Sequence, residues 1–474
     1  MTSFYDIGAL LEKRFEKIGK YIYYSIYSVS PYKQLKERIE YLLAGNPGVV
    51  AAPGVPGAGK TTFYAFILAN HLKDIICDEG SSHYLYVYIA PTNDLVRDFM
   101  EKFMKFLKGV FGVDCPPDKL SERIRVYGSK ISAPRYTRLL KAVDDKVVLV
   151  ASTDWQRVSA RILSSKEQYY LIDEASRMTF VRLFIPIADA IARGRSEGEI
   201  RGFAVIGDEN QAVGLSYEER EQLFLHAVRK IENSDYVDVI PLTISWRLPE
   251  YTARPIKYGF YNGNLTGRGN PLTIQATHEE VKKLLETEKR CKKYEKYIEM
   301  FLNVAMQHPL VHLELGEHFR SGEKYDEKRA ELGWCMAYVL SQLVKNKRIS
   351  VVVPYTKMAF AVRILGQLPN VVTATVASYL GREDDIIISI FGKEQASNCN
   401  TYYMQDPYTF NVQMSRQRNA IYTVGSAEIL KMSSEYCTKL TQKKRQDRLK
   451  EGWDKLTRTL DMLLQMRSVV RPKF

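Results

Sequence analysis

The segment Gly54-Val55-Pro56-Gly57-Ala58-Gly59-Lys60-Thr61 has the residue types and spacing needed to hold a chain of phosphates, G-x-x-x-x-G-K-S/T. Its glycines let backbone N–H groups curl around phosphate oxygens, Lys60 neutralises the β/γ charge, and the Thr61 hydroxyl coordinates Mg²⁺. The expected nucleotide-binding residues are therefore Gly54, Pro56, Gly57, Ala58, Gly59, Lys60, Thr61 and Thr62. Asp173 and Glu174 close an apolar run, Tyr170-Leu171-Ile172. Beside a phosphate loop, Asp173 would hold Mg²⁺ through water and Glu174 would polarise the attacking water. A third segment, Gly207-Asp208-Glu209-Asn210-Gln211, offers a glutamine able to hydrogen-bond both a γ-phosphate and that water. The chemistry is nucleoside triphosphate hydrolysis, with Thr61 and Asp173 as the metal ligands.

These groups act together only if strands deliver them to one place. Apolar strand candidates at 48–52, 84–90, 147–151, 169–173, 203–207 and 237–242 alternate with helical stretches. That alternation marks a parallel sheet covered by helices. A second series, at 310–315, 350–354, 370–376, 386–391 and 419–425, makes a second unit in tandem. The expected organisation is a helical segment 1–46, an α/β domain 47–241, a second domain 242–427, and a basic helical tail 428–474. In the first segment Leu10, Leu11, Phe15 and Ile18, and again Leu35, Ile39 and Leu42, fall at helical spacing. The second domain carries a charged insertion, 270–306, where Lys282, Lys283, Lys289, Arg290, Lys292 and Lys293 interleave with glutamates. Mixed signs of this kind read as a solvated surface helix. In the tail, basic residues (Lys443, Lys444, Arg445, Arg448, Lys450) accompany Trp453, Leu456, Leu460 and Leu464 at helical spacing, which implies docking on a core.

The net charge of +13 and pI near 9.2 favour a polyanionic partner. No run approaches the roughly 18–20 apolar residues of a membrane span. The first thirty residues mix charges with tyrosines, so no secretory signal is expected and the location is cytoplasmic or nucleoid-associated. Cys77, Cys115, Cys291, Cys335, Cys399 and Cys437 are scattered singly, which indicates neither a zinc module nor a disulfide framework but reduced, packed thiols. Abundant Tyr, Lys, Arg and Glu suit a thermophile.

In this order, Gly54–Thr61, Asp173-Glu174-Ala175-Ser176 and Gly207-Asp208-x-x-Gln211 resemble the motif series of superfamily 1 helicases. The D-E-A-S form is similar to the 5′-to-3′ branch, superfamily 1B, of the nonsense-mediated-decay type. The second half agrees with the family at Leu242–Arg247, Phe260–Leu265, Val351–Tyr355, Ser378–Glu383 and Asn411–Arg416. The resemblance runs from about residue 34 to 425. It implies an α/β fold of two tandem RecA-like P-loop NTPase domains with small helical additions, a near-minimal motor.

The resemblance also implies roles. Arg247 and Arg416 would reach the γ-phosphate from the second domain, Trp246 would stack on the base, Gln34 would read adenine, and Glu383 would join the nucleotide site. Pro91, Thr92, Asn93, Thr153, Pro354, Tyr355, Thr375 and Ser378 would contact single-stranded DNA or RNA without regard to sequence. ATP and Mg²⁺ are the implied cofactors, ATP lying in an inter-domain cleft. The basic tail is the expected docking site for any protein partner. The chain departs from the family at Leu380, where glutamine is usual, and at Ala377, where an acid is usual. This departure supports an alternative: a nucleic-acid-stimulated ATPase acting as a clamp or ribonucleoprotein remodeller with little unwinding. A regulatory nucleotide switch is disfavoured, because a passive switch needs neither Glu174 nor paired arginines.

Overall fold

The apolar runs pair as two parallel sheets. The computed structural model describes residues 29–127, 145–154, 166–178, 200–212, 237–316, 327–379, 381–392, 395–440 and 447–472. The chain divides into two compact units. The first comprises Met1–Gly54, Gly59–Glu209 and Val213–Leu242, and the second Val55–Ala58, Asn210–Ala212 and Thr243–Phe474. The expected helix containing Leu10, Leu11, Phe15 and Ile18 lies outside the described residues, as do Leu380, Lys443, Lys444 and Arg445.

In the first unit, strands β1 (Gly48–Pro53), β2 (Tyr84–Ala90), β3 (Ile124–Tyr127), β4 (Leu149–Thr153), β5 (Glu167–Ile172), β6 (Ile200–Gly207) and β7 (Val237–Val239) form one sheet. Their order is β3-β4-β2-β5-β6-β1-β7. The central strands are covered on both faces, so their sequences read as continuous apolar runs rather than alternating ones. Val87, Ile89, Val150, Ile172 and Val205 share one core. On helix Asn93–Lys105, Phe99 stacks on Tyr88 of β2 with ring centroids 3.6 Å apart. Leu35, Ile39 and Leu42 are the buried stripe of helix Tyr32–Leu43.

The second unit holds a two-strand parallel pair, β8 (Ile244–Ser245) with β9 (Thr266–Gly267), and a six-stranded sheet. The sheet strands are β10 (Leu310–Glu314), β11 (Ile349–Val353), β12 (Val371–Thr375), β13 (Asp384–Ile390), β14 (Gln417–Gly425) and β15 (Val469–Val470). They run β12-β11-β13-β14-β10-β15, all parallel. Strands β3, β8, β9 and β15 escape the sequence reading because each is four residues or fewer. Runs that short carry no usable periodicity.

Two expectations fail here. The charged insertion is not one solvated helix but three elements: His278–Thr287, the 3₁₀ helix Lys289–Tyr294 and Glu295–Ala305. Its cations face water, while Val281, Leu285, Cys291, Ile298, Phe301 and Leu302 enter the core of the second unit. The cysteines also differ. Cys291 is bonded to Cys335 across 44 residues, and Cys399 to Cys437 across 38. Only Cys77 and Cys115 are free. The pairs are made by tertiary topology, which folds helix Glu327–Leu343 onto the insertion, and not by any local spacing a sequence displays.

The tail does dock. Trp453, Leu456 and Leu460 of helix Asp447–Leu464 are buried, and Trp453 Nε1 donates to Met404 O at 2.9 Å. Arg448, counted among the tail's basic residues, lies over the Tyr408 ring at 4.9 Å.

Candidate nucleotide and nucleic-acid sites

In a parallel sheet all strands end at the same edge, and loops leaving that edge build the binding site. The phosphate loop leaves β1, Asp173 and Glu174 leave β5, and Asp208 leaves β6. Gly54 N donates to Gly207 O at 2.8 Å, and Asp208 N to Ser176 Oγ at 3.2 Å, which ties these three strand ends together.

The loop turns on Gly57 and Gly59, at φ 72° and 75°, a left-handed conformation open chiefly to glycine. Gly59 is the N-cap of helix Lys60–Leu72, so the turn delivers Lys60 and Thr61 directly to the helix N-terminus, with Thr62 next in the same turn. Lys60 is 7% exposed, and its Nζ donates to Gly54 O at 3.2 Å. Pro56 and Ala58 lie within the loop, where Ala58 N donates to Val55 O at 3.3 Å.

Thr61 Oγ1 donates to Asp173 Oδ2 at 2.5 Å, and Tyr88 OH donates to the same oxygen at 2.9 Å. The other oxygen, Oδ1, accepts from Glu174 N at 2.8 Å. Asp173 is fully buried; burial first, then the neighbouring Glu174 charge, raise its pKa to about 6. Glu174 has φ 48°, a conformation rare outside glycine and concentrated at functional sites. Its Oε2 is buried with no hydrogen-bond partner. A hydroxyl and a carboxylate converging beside an orphaned carboxylate oxygen fit a hard, hydrated cation. Mg²⁺ of this kind takes only one or two protein oxygens, the rest coming from water and phosphate. Among the described residues no cluster of three or more His, Cys, Asp or Glu forms an all-protein metal cage.

The second unit groups Arg247, Glu383, Arg416 and Gln211. Arg247 Nη1 donates to Glu383 Oε2 at 2.6 Å, and its Nη2 to Ser415 O at 2.6 Å. Arg247 Nε is buried with no hydrogen-bond partner. Arg418 grips the other Glu383 oxygen through Nε and Nη2 at 2.9 and 2.6 Å. Burial acting alone would raise the Glu383 pKa, but Arg247 and Arg418 hold it at about 2. Arg416 is buried; its Nε donates to Val412 O at 3.2 Å and its Nη2 to Gln211 Oε1 at 2.9 Å. Trp246 is half-buried rather than part of the core, and its N donates to Gly57 O at 3.0 Å. Gln34 is exposed on helix Tyr32–Leu43.

The candidate nucleic-acid residues fall at strand C-terminal ends in both units. Ala90 of β2 is in register with Thr153 of β4, so the Pro91-Thr92-Asn93 turn and Thr153 share an edge. Thr92 caps the following helix, its Oγ1 accepting from Leu95 N at 3.4 Å, while Thr153 is buried. In the second unit Val353 is in register with Thr375, which puts Pro354, Tyr355, Thr375 and Ser378 on one edge. Ser378 and Thr375 bond each other through their hydroxyls at 3.0 Å, Tyr355 OH accepts from Tyr402 N at 3.2 Å, and Pro354 is buried.

Residues 33–201 match the DEAD/DEAH box helicase family model, and residues 221–428 match an AAA domain model. The phosphate loop and acid pair fall in the first; Arg247, Glu383 and Arg416 fall in the second. The two matches, each under half of the chain, support a helicase of the superfamily 1 type. Among solved structures, this chain is similar to arterivirus nonstructural protein 10 (helicase) in complex with DNA, at 14% identity and TM-score 0.40. That likeness covers 84% of this chain and 63% of the arterivirus chain, so the chain spans under two thirds of its length. The Hef helicase domain of Pyrococcus furiosus is similar at 12% identity and TM-score 0.35, covering 82% of this chain and 94% of its own. No curated protein sequence matches the chain.

Sequence reasoning missed several groups that hold the candidate site. Tyr88 sits in an apolar run that gives no sign of its hydroxyl's target. Arg418, two residues past Arg416, was visible as a second cation. Tyr261 and Asn411 lie in recognised motifs but had no role: Asn411 Nδ2 donates to Tyr261 OH at 2.8 Å and to Asn210 O at 2.7 Å. No helix among the described residues is long and apolar enough to cross a membrane.

Proposed function

We propose that the protein hydrolyses ATP to move 5′-to-3′ along single-stranded DNA or RNA, as a sequence-independent translocase and helicase of the superfamily 1B type. The observation that carries this reading is the convergence of Thr61, Asp173 and the unpartnered Glu174 Oε2 at one strand edge. Thr61 and Asp173 would hold Mg²⁺, which neutralises charge on the β- and γ-phosphates when bound. Lys60 binds the same phosphates. Glu174, with its free oxygen, orients the attacking water and accepts its proton. Gln211 orients that water from the γ-phosphate side. Arg247 and Arg416 offset the charge that develops on the transferred phosphoryl group, Trp246 stacks on the base, and Glu383 keeps Arg247 aimed. The charge of +13 suits a polyanionic track, and the protein works in the cytoplasm or on the nucleoid.

ATP turnover with and without single-stranded oligonucleotide tests the motor, and Lys60→Ala serves as the dead control. A rate indifferent to added strands would sink the helicase reading. Unwinding of tailed DNA and RNA duplexes of both polarities then assigns track and direction. Leu380 and Ala377 favour a second reading, the clamp or remodeller. Strand-stimulated ATPase without strand displacement would select it.

A further inference from the structure

Helix Asp447–Leu464 buries a lysine. Lys455 is 6% exposed, beside buried Leu456 and Thr459. The helix lies so close to helix Glu250–Gly259 that a Cβ on Gly259 would fall 1.7 Å from Thr459 Oγ1 and 2.7 Å from Lys455 O. That contact fixes the helix backbone at Lys455. A buried ammonium is unfavourable unless its protons find acceptors. Here Nζ meets Glu451 Oε1 at 2.5 Å and Asn210 Oδ1 at 2.7 Å, and lies 5.6 Å from the Tyr408 ring centre.

Asn210 is thereby gripped twice, at its side chain by Lys455 and at its carbonyl by Asn411 at 2.7 Å. The next residue is Gln211, whose Oε1 accepts from Arg416. With the backbone fixed at Asn210, the glutamine leaves the chain at a set point and in a set direction. Packing alone does not call for a charged residue at 455, since a methionine would fill the same volume.

We propose that Lys455 is a positioning residue for hydrolysis, acting through Asn210 to set Gln211 against Arg416. The proposal rests on the role given above to Gln211. It also gives the C-terminal helix a catalytic duty beyond docking.

The test uses the full chain and the variants Lys455→Met, Lys455→Arg, Asn210→Ala and the double Lys455→Met/Asn210→Ala. Strand-stimulated ATPase is measured against ATP concentration, and hydrogen exchange is followed at residues 209–212. Lys455→Met is expected to lower kcat roughly tenfold at unchanged KM for ATP, with exchange at 210–212 faster by about the same factor. Lys455→Arg should restore most of the rate, and the double variant should be no slower than the slower single one. A Lys455→Met kcat within about twofold of the parent overturns the proposal, as does faster exchange spread evenly over the whole second unit. If the parent protein shows no strand-stimulated turnover, the helicase reading fails instead. Exchange at 210–212 then still decides whether Lys455 holds that segment.

Discussion

The two units treat their key carboxylates in opposite ways. In the first, Asp173 is buried and bonded by two hydroxyls and an amide, and its pKa rises to about 6. In the second, Glu383 carries its own cations, Arg247 and Arg418, and its pKa falls to about 2. In the first arrangement burial and the adjacent Glu174 charge leave the carboxylate's negative charge incompletely offset. The second is already neutralised and serves to fix two guanidinium groups. Placement differs too. The first unit's acids follow a strand C-terminal end, whereas Glu383 and Arg416 stand just before β13 and β14, which are in register at Asp384 and Gln417.

Truncating Arg416 gives the largest contrast. Arg416→Ala should lose about 10³–10⁵ of the ATPase rate, the usual worth of a placed arginine, while nucleotide binding persists. Lys60→Ala, in contrast, should lose binding as well. Turnover and the binding of a fluorescent nucleotide, measured side by side, check this. Normal turnover by Arg416→Ala would make both units mere scaffolds for a site elsewhere.

The next effect belongs to the second unit alone, because only it holds disulfides among the described residues. Closing the 44-residue loop at Cys291–Cys335 stabilises that unit by about 4 kcal/mol on loop-closure entropy. Cys335→Ala should therefore lower the denaturation midpoint, with hydrogen exchange quickened in the second unit and unchanged around β1–β6. Equal quickening in both units would break the distinction.

The fold was legible because parallel strands are covered on both faces and so announce themselves as apolar runs; β2 at Tyr84–Ala90 was read to the residue. The site was legible where chemistry demands contiguous residues, as in Gly54–Thr61. It was illegible where a partner lies far along the chain. Glu383 meets Arg247 across 136 residues, and Lys455 meets Asn210 across 245. Nothing local marks either. The cysteines failed for the same reason, and the insertion failed because its charges masked an apolar stripe.

Removing each unit's acid charge should move stability in opposite directions. Asp173→Asn takes a poorly compensated charge out of the first unit and should leave nucleotide-free stability unchanged or raise it by about 1 kcal/mol, while abolishing ATPase. Glu383→Gln strands two arginines and should destabilise by about 1–3 kcal/mol. Chemical denaturation of both variants without nucleotide makes the measurement. A destabilised Asp173→Asn protein would mean that the first unit is braced like the second.

The smallest effect is a pH slope. The folded pKa of Glu383 lies below its ordinary value of 4.5, so the stability it contributes is fully present above about that pH. It is lost as pH falls through about 2, when protonation releases Arg247 and Arg418. Its side chain is 33% exposed, so solvent screens the pair and the loss should be about 1 kcal/mol. Between pH 5 and 3 the parent protein should therefore weaken faster than Glu383→Gln, in which this position no longer titrates. Identical slopes in the two proteins would show that Arg247 is aimed by its bond to Ser415 O and not by the carboxylate.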